Sequence, residues 1–120
     1  MRFMMFVRAN KNTEAGTLPS KELLAAMGRF NEEMAKAGVM LAGEGIQPSA
    51  KGARVTFGRG TRSVTHGPFP ANELVAGFWM IEVASKDEAI EWAKRVPFAD
   101  GEVVEIRQVF EASDFPPETP

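Results

Sequence analysis

Two side chains of this sequence are suited to acid–base chemistry, and both lie beside glycines. His66 is the only histidine, and an imidazole titrates near neutral pH without a perturbed environment. Glu44 lies between two glycines, where backbone can approach a ligand closely and a carboxylate can act as a general base. We interpret both as candidate catalytic residues. The alternative for each is a solvated residue of a turn.

Three other charged residues are candidates for binding a ligand. Arg8 and Arg54 lie at strand ends, where a guanidinium can hold a carboxylate by a bidentate contact. Glu14 follows the first strand and is a weaker candidate. If the hairpin described below folds its polar face over the strand ends, Arg8, Glu44, Arg54 and His66 would line one pocket for a small acidic metabolite. Otherwise the arginines solvate a sheet edge.

The composition excludes several classes of function. The chain has 120 residues and no cysteine, which removes disulfides, thiolate catalysis and zinc sites built on sulfur. With a single histidine and no phosphate-binding motif, we expect neither a metal nor a cofactor. A net charge of −2 does not favour nucleic acid. No apolar run is long enough to span a membrane, so we expect a soluble, cytoplasmic protein.

Apolar patterning predicts a small set of strands and helices. Residues 2–8 and 77–84 are apolar on both faces, as central strands are. A helix is predicted over residues 20–37, from an N-cap at Ser20 to a stop at Gly38. A second helix starts at the capping box Ser85-Lys86-Asp87-Glu88 and ends before Pro97.

The other predicted strands are shorter or alternate in polarity. A short strand over 39–42 ends at Gly43-Glu44-Gly45, which is interpreted as a turn. Residues 53–57 and 61–65 predict a hairpin with one solvated face, followed by a turn that contains His66. The last strand, 103–110, places Val104, Ile106 and Phe110 on one side.

This order predicts an α+β domain of the ferredoxin-like, split βαβ type with an inserted β-hairpin. The domain spans residues 1–112, and a loose tail spans 113–120. Two helices cover one face of such a sheet, so the apolar side chains of the other face need a second cover. The simplest cover is another copy, and we therefore expect a homodimer of the dimeric α/β barrel type.

Three segments of the chain resemble a known family. They are Ser63-Val64-Thr65-His66-Gly67-Pro68-Phe69, Glu73-Leu74-Val75-Ala76-Gly77-Phe78-Trp79-Met80-Ile81-Glu82-Val83 and Asp87-Glu88-Ala89-Ile90-Glu91-Trp92-Ala93-Lys94-Arg95-Val96-Pro97. Together they resemble the YCII-related, or DGPF-domain, proteins. Two positions depart from the family pattern: His66 stands where aspartate is usual, and the stretch 70–72 lacks the usual glutamate.

The resemblance implies a dimeric ferredoxin-like domain, similar in fold to small lyases, isomerases and dehydrochlorinases. Some members are thought to use a His and Asp pair for acid–base catalysis, but that pair has no residue-by-residue match here. We therefore expect a YCII-related protein that acts as a cofactor-free enzyme of the isomerase or lyase type. The alternative is a non-catalytic domain that binds a metabolite or a regulatory partner, linked with extracytoplasmic-function sigma factors as some DGPF members are.

Overall fold

The two strands with apolar side chains on both faces lie at the centre of a four-stranded antiparallel sheet. These strands are β1 (Arg2–Arg8) and β5 (Val75–Glu82) in a computed structural model that describes residues 1–117. β2 (Met40–Gly45) and β6 (Val104–Gln108) form the edges, so the sheet order is β2-β5-β1-β6. The α+β class is confirmed, and the sheet order matches the predicted split βαβ arrangement.

Local hydrogen bonds define the helices. A short helix that was not predicted, α1 (Lys11–Glu14), follows β1. In α2 (Lys21–Lys36) the Ser20 hydroxyl accepts from the Leu23 N–H at 3.1 Å. Gly38, with φ of +72°, terminates this helix as predicted. In α3 (Lys86–Lys94) the Ser85 hydroxyl caps the helix as predicted, accepting from the Glu88 N–H. The second bond of the predicted capping box differs: the Glu88 carboxylate accepts from the Ala84 N–H at 3.1 Å, not from the N–H of Ser85.

The core lies between one face of the sheet and the helices. Met5, Met34 and Ile81 are completely buried, and burial of such a side chain stabilises the fold by about 1.5–3 kcal/mol. The Phe30 ring of α2 meets the Trp79 ring edge-on, with centroids 5.5 Å apart. The core residues are Phe3, Met5, Phe30, Met34, Val39, Trp79, Ile81, Val83 and Ala89.

The segment Gly43-Glu44-Gly45 is part of β2, so its interpretation as a turn is wrong. Gly43 pairs with Trp79 and Glu44 pairs with Phe78. A Cβ on Gly43 would lie 2.6 Å from Cδ1 of the Trp79 indole. The strand therefore needs glycine at this position so that the indole can lie against its backbone, and no turn is formed.

The predicted hairpin forms and projects from the rest of the chain. β3 (Ala53–Gly58) and β4 (Thr61–His66) are antiparallel, with Val55 opposite Val64, and they form a separate two-stranded sheet. Every residue of both strands is exposed, so neither face is covered, whereas one covered face was expected. The radius of gyration is 17.2 Å, against about 14 Å for a compact chain of this length. His66 ends β4, and the turn begins only after it.

The C-terminal part departs from the prediction because β6 ends at Gln108. Phe110 therefore does not continue the apolar side of the strand; it is 70% exposed and its ring lies 5.1 Å from that of Phe115. Of the predicted tail, residues 118–120 lie outside the described residues. No helix within residues 1–117 has the length and hydropathy needed to cross a membrane.

The close approach at Gly43 predicts that alanine is far more destabilising at this position than at the nearby Gly45. Gly43→Ala places a methyl group against the buried Trp79 indole and should destabilise the fold by about 1–3 kcal/mol. Gly45→Ala is the matched control, since nothing lies within 4 Å of the position that its Cβ would take. Urea denaturation of both variants measures the difference. Equal stability of the two would contradict the packing of Trp79 on β2.

The ion pair between Arg2 and Glu111 predicts a pH-dependent contribution to stability. Arg2 Nε donates to Glu111 Oε1 at 2.9 Å, and this hydrogen bond and the arginine's charge hold the pKa of Glu111 below its ordinary value. Because the folded pKa is lowered, the contribution is present at neutral pH and is lost as pH falls through the folded pKa. Glu111→Gln should be less stable than the parent at neutral pH, and the two thermal melting curves should converge in acid. Glu32→Gln, at an exposed carboxylate that forms no salt bridge within residues 1–117, is the control and should not reproduce the loss of stability seen at neutral pH.

Candidate functional site

A cleft of about 420 Å³ lies on the helix-covered side of the sheet, between the N-terminal half of α2 and neighbouring ends of β1, β2 and β5. This volume suits a small molecule. Its apolar wall includes Leu23 and Met27 from α2, Trp79 from β5 and Phe98 from the segment after α3. The Trp79 and Phe98 rings lie 6.4 Å apart at an angle of 42°. The cleft can therefore accept a mainly apolar ligand.

Asn31 provides a polar group in this apolar wall. Its Oδ1 accepts from the Trp79 Nε1–H at 2.9 Å, which fixes the indole. The amide nitrogen of Asn31 makes no hydrogen bond with any residue from 1 to 117, so its two N–H donors remain available to a ligand. The polar side chains of Asn10 and Thr13 also line the cleft, but they cap α1 and bond to each other.

Glu102 is an exposed acidic residue among those that line the cleft. It lies in the loop between α3 and β6, and it also borders a second, apolar groove between those two elements. Its backbone N–H donates to the Ala99 carbonyl at 3.3 Å, which closes a short turn there.

Arg8 and Glu44, two of the predicted site residues, are among the residues that border the cleft. The Arg8 guanidinium is already engaged: it donates to the Asn72 carbonyl at 2.8 Å and to Glu105 at 3.3 Å. Glu44 pairs with Phe78, and strand alternation places both side chains on the sheet face opposite Trp79. The β2 backbone, rather than the Glu44 carboxylate, therefore forms this wall.

Arg54 and His66 lie on the projecting hairpin and do not border the cleft. The Arg54 guanidinium lies 3.9 Å above the Phe69 ring. His66 pairs with Ala53 and is exposed. A single chain therefore does not form the predicted pocket of Arg8, Glu44, Arg54 and His66, because the hairpin projects away from the strand ends that it was expected to cover.

Glu14 has a structural position at the base of the hairpin. Its carboxylate accepts from the Ser49 backbone N–H at 3.0 Å and from the Ser49 hydroxyl. The same hydroxyl oxygen accepts from the Phe69 N–H at 2.9 Å. Glu14, at the end of α1, thus joins the two chain segments that lead into and out of the hairpin. We call Glu14, Ser49 and Phe69 the hairpin clamp.

Sequence reasoning did not select Asn31 or Glu102. Asn31 follows Met27 by four residues, so an amide on the apolar side of α2 was a usable signal. Glu102 is an ordinary loop carboxylate, and nothing in its sequence neighbourhood distinguishes it. Within the part of the chain that the structure describes, no three His, Cys, Asp or Glu side chains are grouped to hold a metal ion.

A comparison with protein-family models decides the family. The model of the YCII-related domain matches residues 1–113. This chain belongs to the YCII-related domain family. No curated protein gives a significant sequence match to this YCII-related chain.

Among solved structures, the YCII-related chain is similar to 5-chloro-2-hydroxyhydroquinone dehydrochlorinase from Burkholderia phenoliruptrix, solved in complex with 2,5-dihydroxybenzoquinone. The match covers 95% of this chain and 98% of that one, with 13% identity and a TM-score of 0.46. At this level the similarity says nothing about shared chemistry.

The hairpin clamp predicts that removal of the Glu14 carboxylate loosens the base of the hairpin. Glu14→Ala removes the acceptor for two donors of Ser49 and should speed hydrogen exchange at the Ser49 and Phe69 amides. Glu22→Ala, an exposed carboxylate in the first turn of α2, is the control and should leave both amides unchanged. Unchanged exchange in the Glu14 variant would mean that the clamp does not hold the hairpin base.

Proposed function

We propose that this YCII-related domain binds a small, mainly apolar molecule in the cleft and catalyses a proton transfer on it without a cofactor. The cleft itself is the main support: it combines an apolar wall, the available Asn31 amide donors and an exposed acidic lining residue, Glu102. Sites that bind small molecules commonly have this composition, with few polar groups in an apolar surface.

The proposed substrate has a ring or short chain with at least one oxygen that accepts a hydrogen bond. The Asn31 amide would bind that oxygen, because its own carbonyl is occupied by the Trp79 N–H. The indole and the Phe98 ring would contact the apolar part. This arrangement orients one end of the substrate toward the cleft wall and the other toward the mouth.

Carboxylates are the acid–base groups available for an isomerisation or elimination. Glu102 and Glu44 are the two carboxylate-bearing residues among those that border the cleft. Glu102 is our first choice because strand alternation directs the Glu44 side chain to the other sheet face. A general base at this position removes a proton from the bound molecule and returns it at another atom.

Ligand binding can be tested by filling the cleft. Leu23 borders the cleft, whereas its neighbour Leu24 is 56% exposed and does not. Thermal-shift screening against small carboxylic acids, lactones and phenols should find compounds that raise the melting temperature of the parent protein. Leu23→Trp should abolish that rise and Leu24→Trp should retain it. Loss of the shift in both variants, or in neither, would contradict binding in this cleft.

Catalysis can be tested separately once a compound that binds is converted. Glu102→Gln keeps the size of the side chain but removes the base, so kcat should fall by about a hundredfold to ten-thousandfold. Glu44→Gln should have the smaller effect, and binding measured by calorimetry should persist in both variants. If Glu44→Gln causes the larger loss of kcat, Glu44 is the base and the assignment of Glu102 is wrong.

A non-catalytic binding domain is the second candidate, and the state of Arg8 favours it. The guanidinium that was expected to orient a substrate is held by Glu105 and the Asn72 carbonyl. Screening that finds tight ligands, none of which is converted or loses affinity specifically in Glu102→Gln, would support this function over catalysis.

A further inference from the structure

Phe98 is shared by two cavities of the protein. It lines the cleft, and it also lines the groove of about 350 Å³ between α3 and β6. Within residues 1–117, Glu102 is the other residue that borders both. The Phe98 side chain is only partly buried, unlike a ring that the core encloses on both sides. We call Phe98 the partition, because it lies where the cleft and the groove meet.

A tight turn and an aromatic neighbour hold the partition in place. The Phe98 N–H donates to the Val96 carbonyl at 2.8 Å, which closes a three-residue turn. Pro97 lies at the centre of this turn, and its ring fixes φ close to the value that such a turn needs. On the cleft side the Phe98 ring lies beside the Trp79 indole, with centroids 6.4 Å apart. The partition is therefore a fixed wall of the cleft.

The cleft and the groove differ in chemical character. Amide and hydroxyl side chains of Asn10, Thr13 and Asn31 line the cleft. The groove is bordered mainly by aliphatic side chains, which belong to Ile90, Ala93, Val96, Val104 and Ile106. Lys94 also borders the groove, but its ammonium group is paired with Glu91 at 3.0 Å. A ligand that extends from the cleft into the groove therefore needs a polar head and an alkyl chain.

We propose that Phe98 is a specificity-determining residue that sets the maximum length of the ligand in the cleft. This length limit rests on the proposed binding of a small molecule there, and it narrows the chemical class. The ligand has an oxygen-bearing head, bound by the Asn31 amide, and a short alkyl chain that ends at the Phe98 ring. The groove behind the ring is the space into which a longer chain extends once the ring is removed.

A homologous series of γ-lactones measures the length limit, since its members share a neutral ring with a carbonyl acceptor and differ only in the alkyl chain. Each buried methylene strengthens binding by about fourfold. In NMR titrations of the parent protein, affinity should therefore rise over the first methylenes and then fall when the chain meets the Phe98 ring. The chain length at the maximum is the quantity compared among the variants.

Removal of the ring should extend the series. Phe98→Ala should weaken the shortest lactones, which lose a contact, and strengthen the longest by at least about tenfold, since two or more methylenes become buried. Phe98→Leu keeps a large apolar side chain at the partition and should retain the parent maximum. Circular dichroism checks that each variant folds. If Phe98→Ala does not fold, Phe98→Val removes less of the packing and should move the maximum in the same direction by a smaller amount.

Filling the groove tests where the longer chain goes. Ala99 is exposed and borders the groove but not the cleft. In the Phe98→Ala protein, Ala99→Trp should cancel the gain for long lactones and leave the affinity for short ones unchanged. Ala35→Trp is the matched control, because Ala35 is exposed on α2 and borders neither cavity. It should retain the gain.

The same maximum in the parent and in Phe98→Ala would overturn the length limit while leaving ligand binding in the cleft intact. Affinity that rises steadily over the whole series in the parent would also overturn it, because the ring would then obstruct nothing. If no lactone of any length binds to the parent or to Phe98→Ala, the assigned ligand class and the length limit are both wrong. The proposed cleft function is judged independently, by the comparison of Leu23→Trp with Leu24→Trp.

Discussion

The fold depends on the placement of one buried indole. Trp79 lies in a central strand, 4% exposed, with Gly43 of β2 against one side of it. Its N–H is bound by Asn31 of α2, and its ring meets Phe30 edge-on. One side chain thus fixes the edge strand, the long helix and the wall of the cleft relative to each other. A large aromatic residue with a satisfied N–H can do this because its position is defined both by packing and by a directional bond.

The elements were predictable where the signal is local. Ser20 and Ser85 cap the helices through bonds within a few residues, and the apolar pattern of β1 and β5 does not depend on what surrounds them. The segment Gly43-Glu44-Gly45 was misinterpreted because glycines serve both turns and close packing. Only the identity of the residue opposite Gly43, which the pairing register supplies, separates these two uses.

The site was less predictable because it depends on tertiary placement. Alternation correctly indicated a hairpin, but it contains no information about the direction in which a hairpin leaves the domain. Arg54 and His66 were therefore grouped with Arg8 and Glu44 although they lie on the projecting part. Asn31 was missed for the opposite reason: a single amide on an apolar helix face becomes informative only when its partner, the Trp79 N–H, is known.

The four-residue helix α1 borders two separate parts of the molecule. Its Thr13 lines the cleft, while its Glu14 holds the segments that enter and leave the hairpin. Consecutive residues of one short helix cannot be ordered independently. Any free energy by which occupation of the cleft restricts α1 is therefore also available to order the hairpin base, and the effect is reciprocal. The geometry provides a thermodynamic linkage between occupancy of the cleft and the conformational freedom of the hairpin.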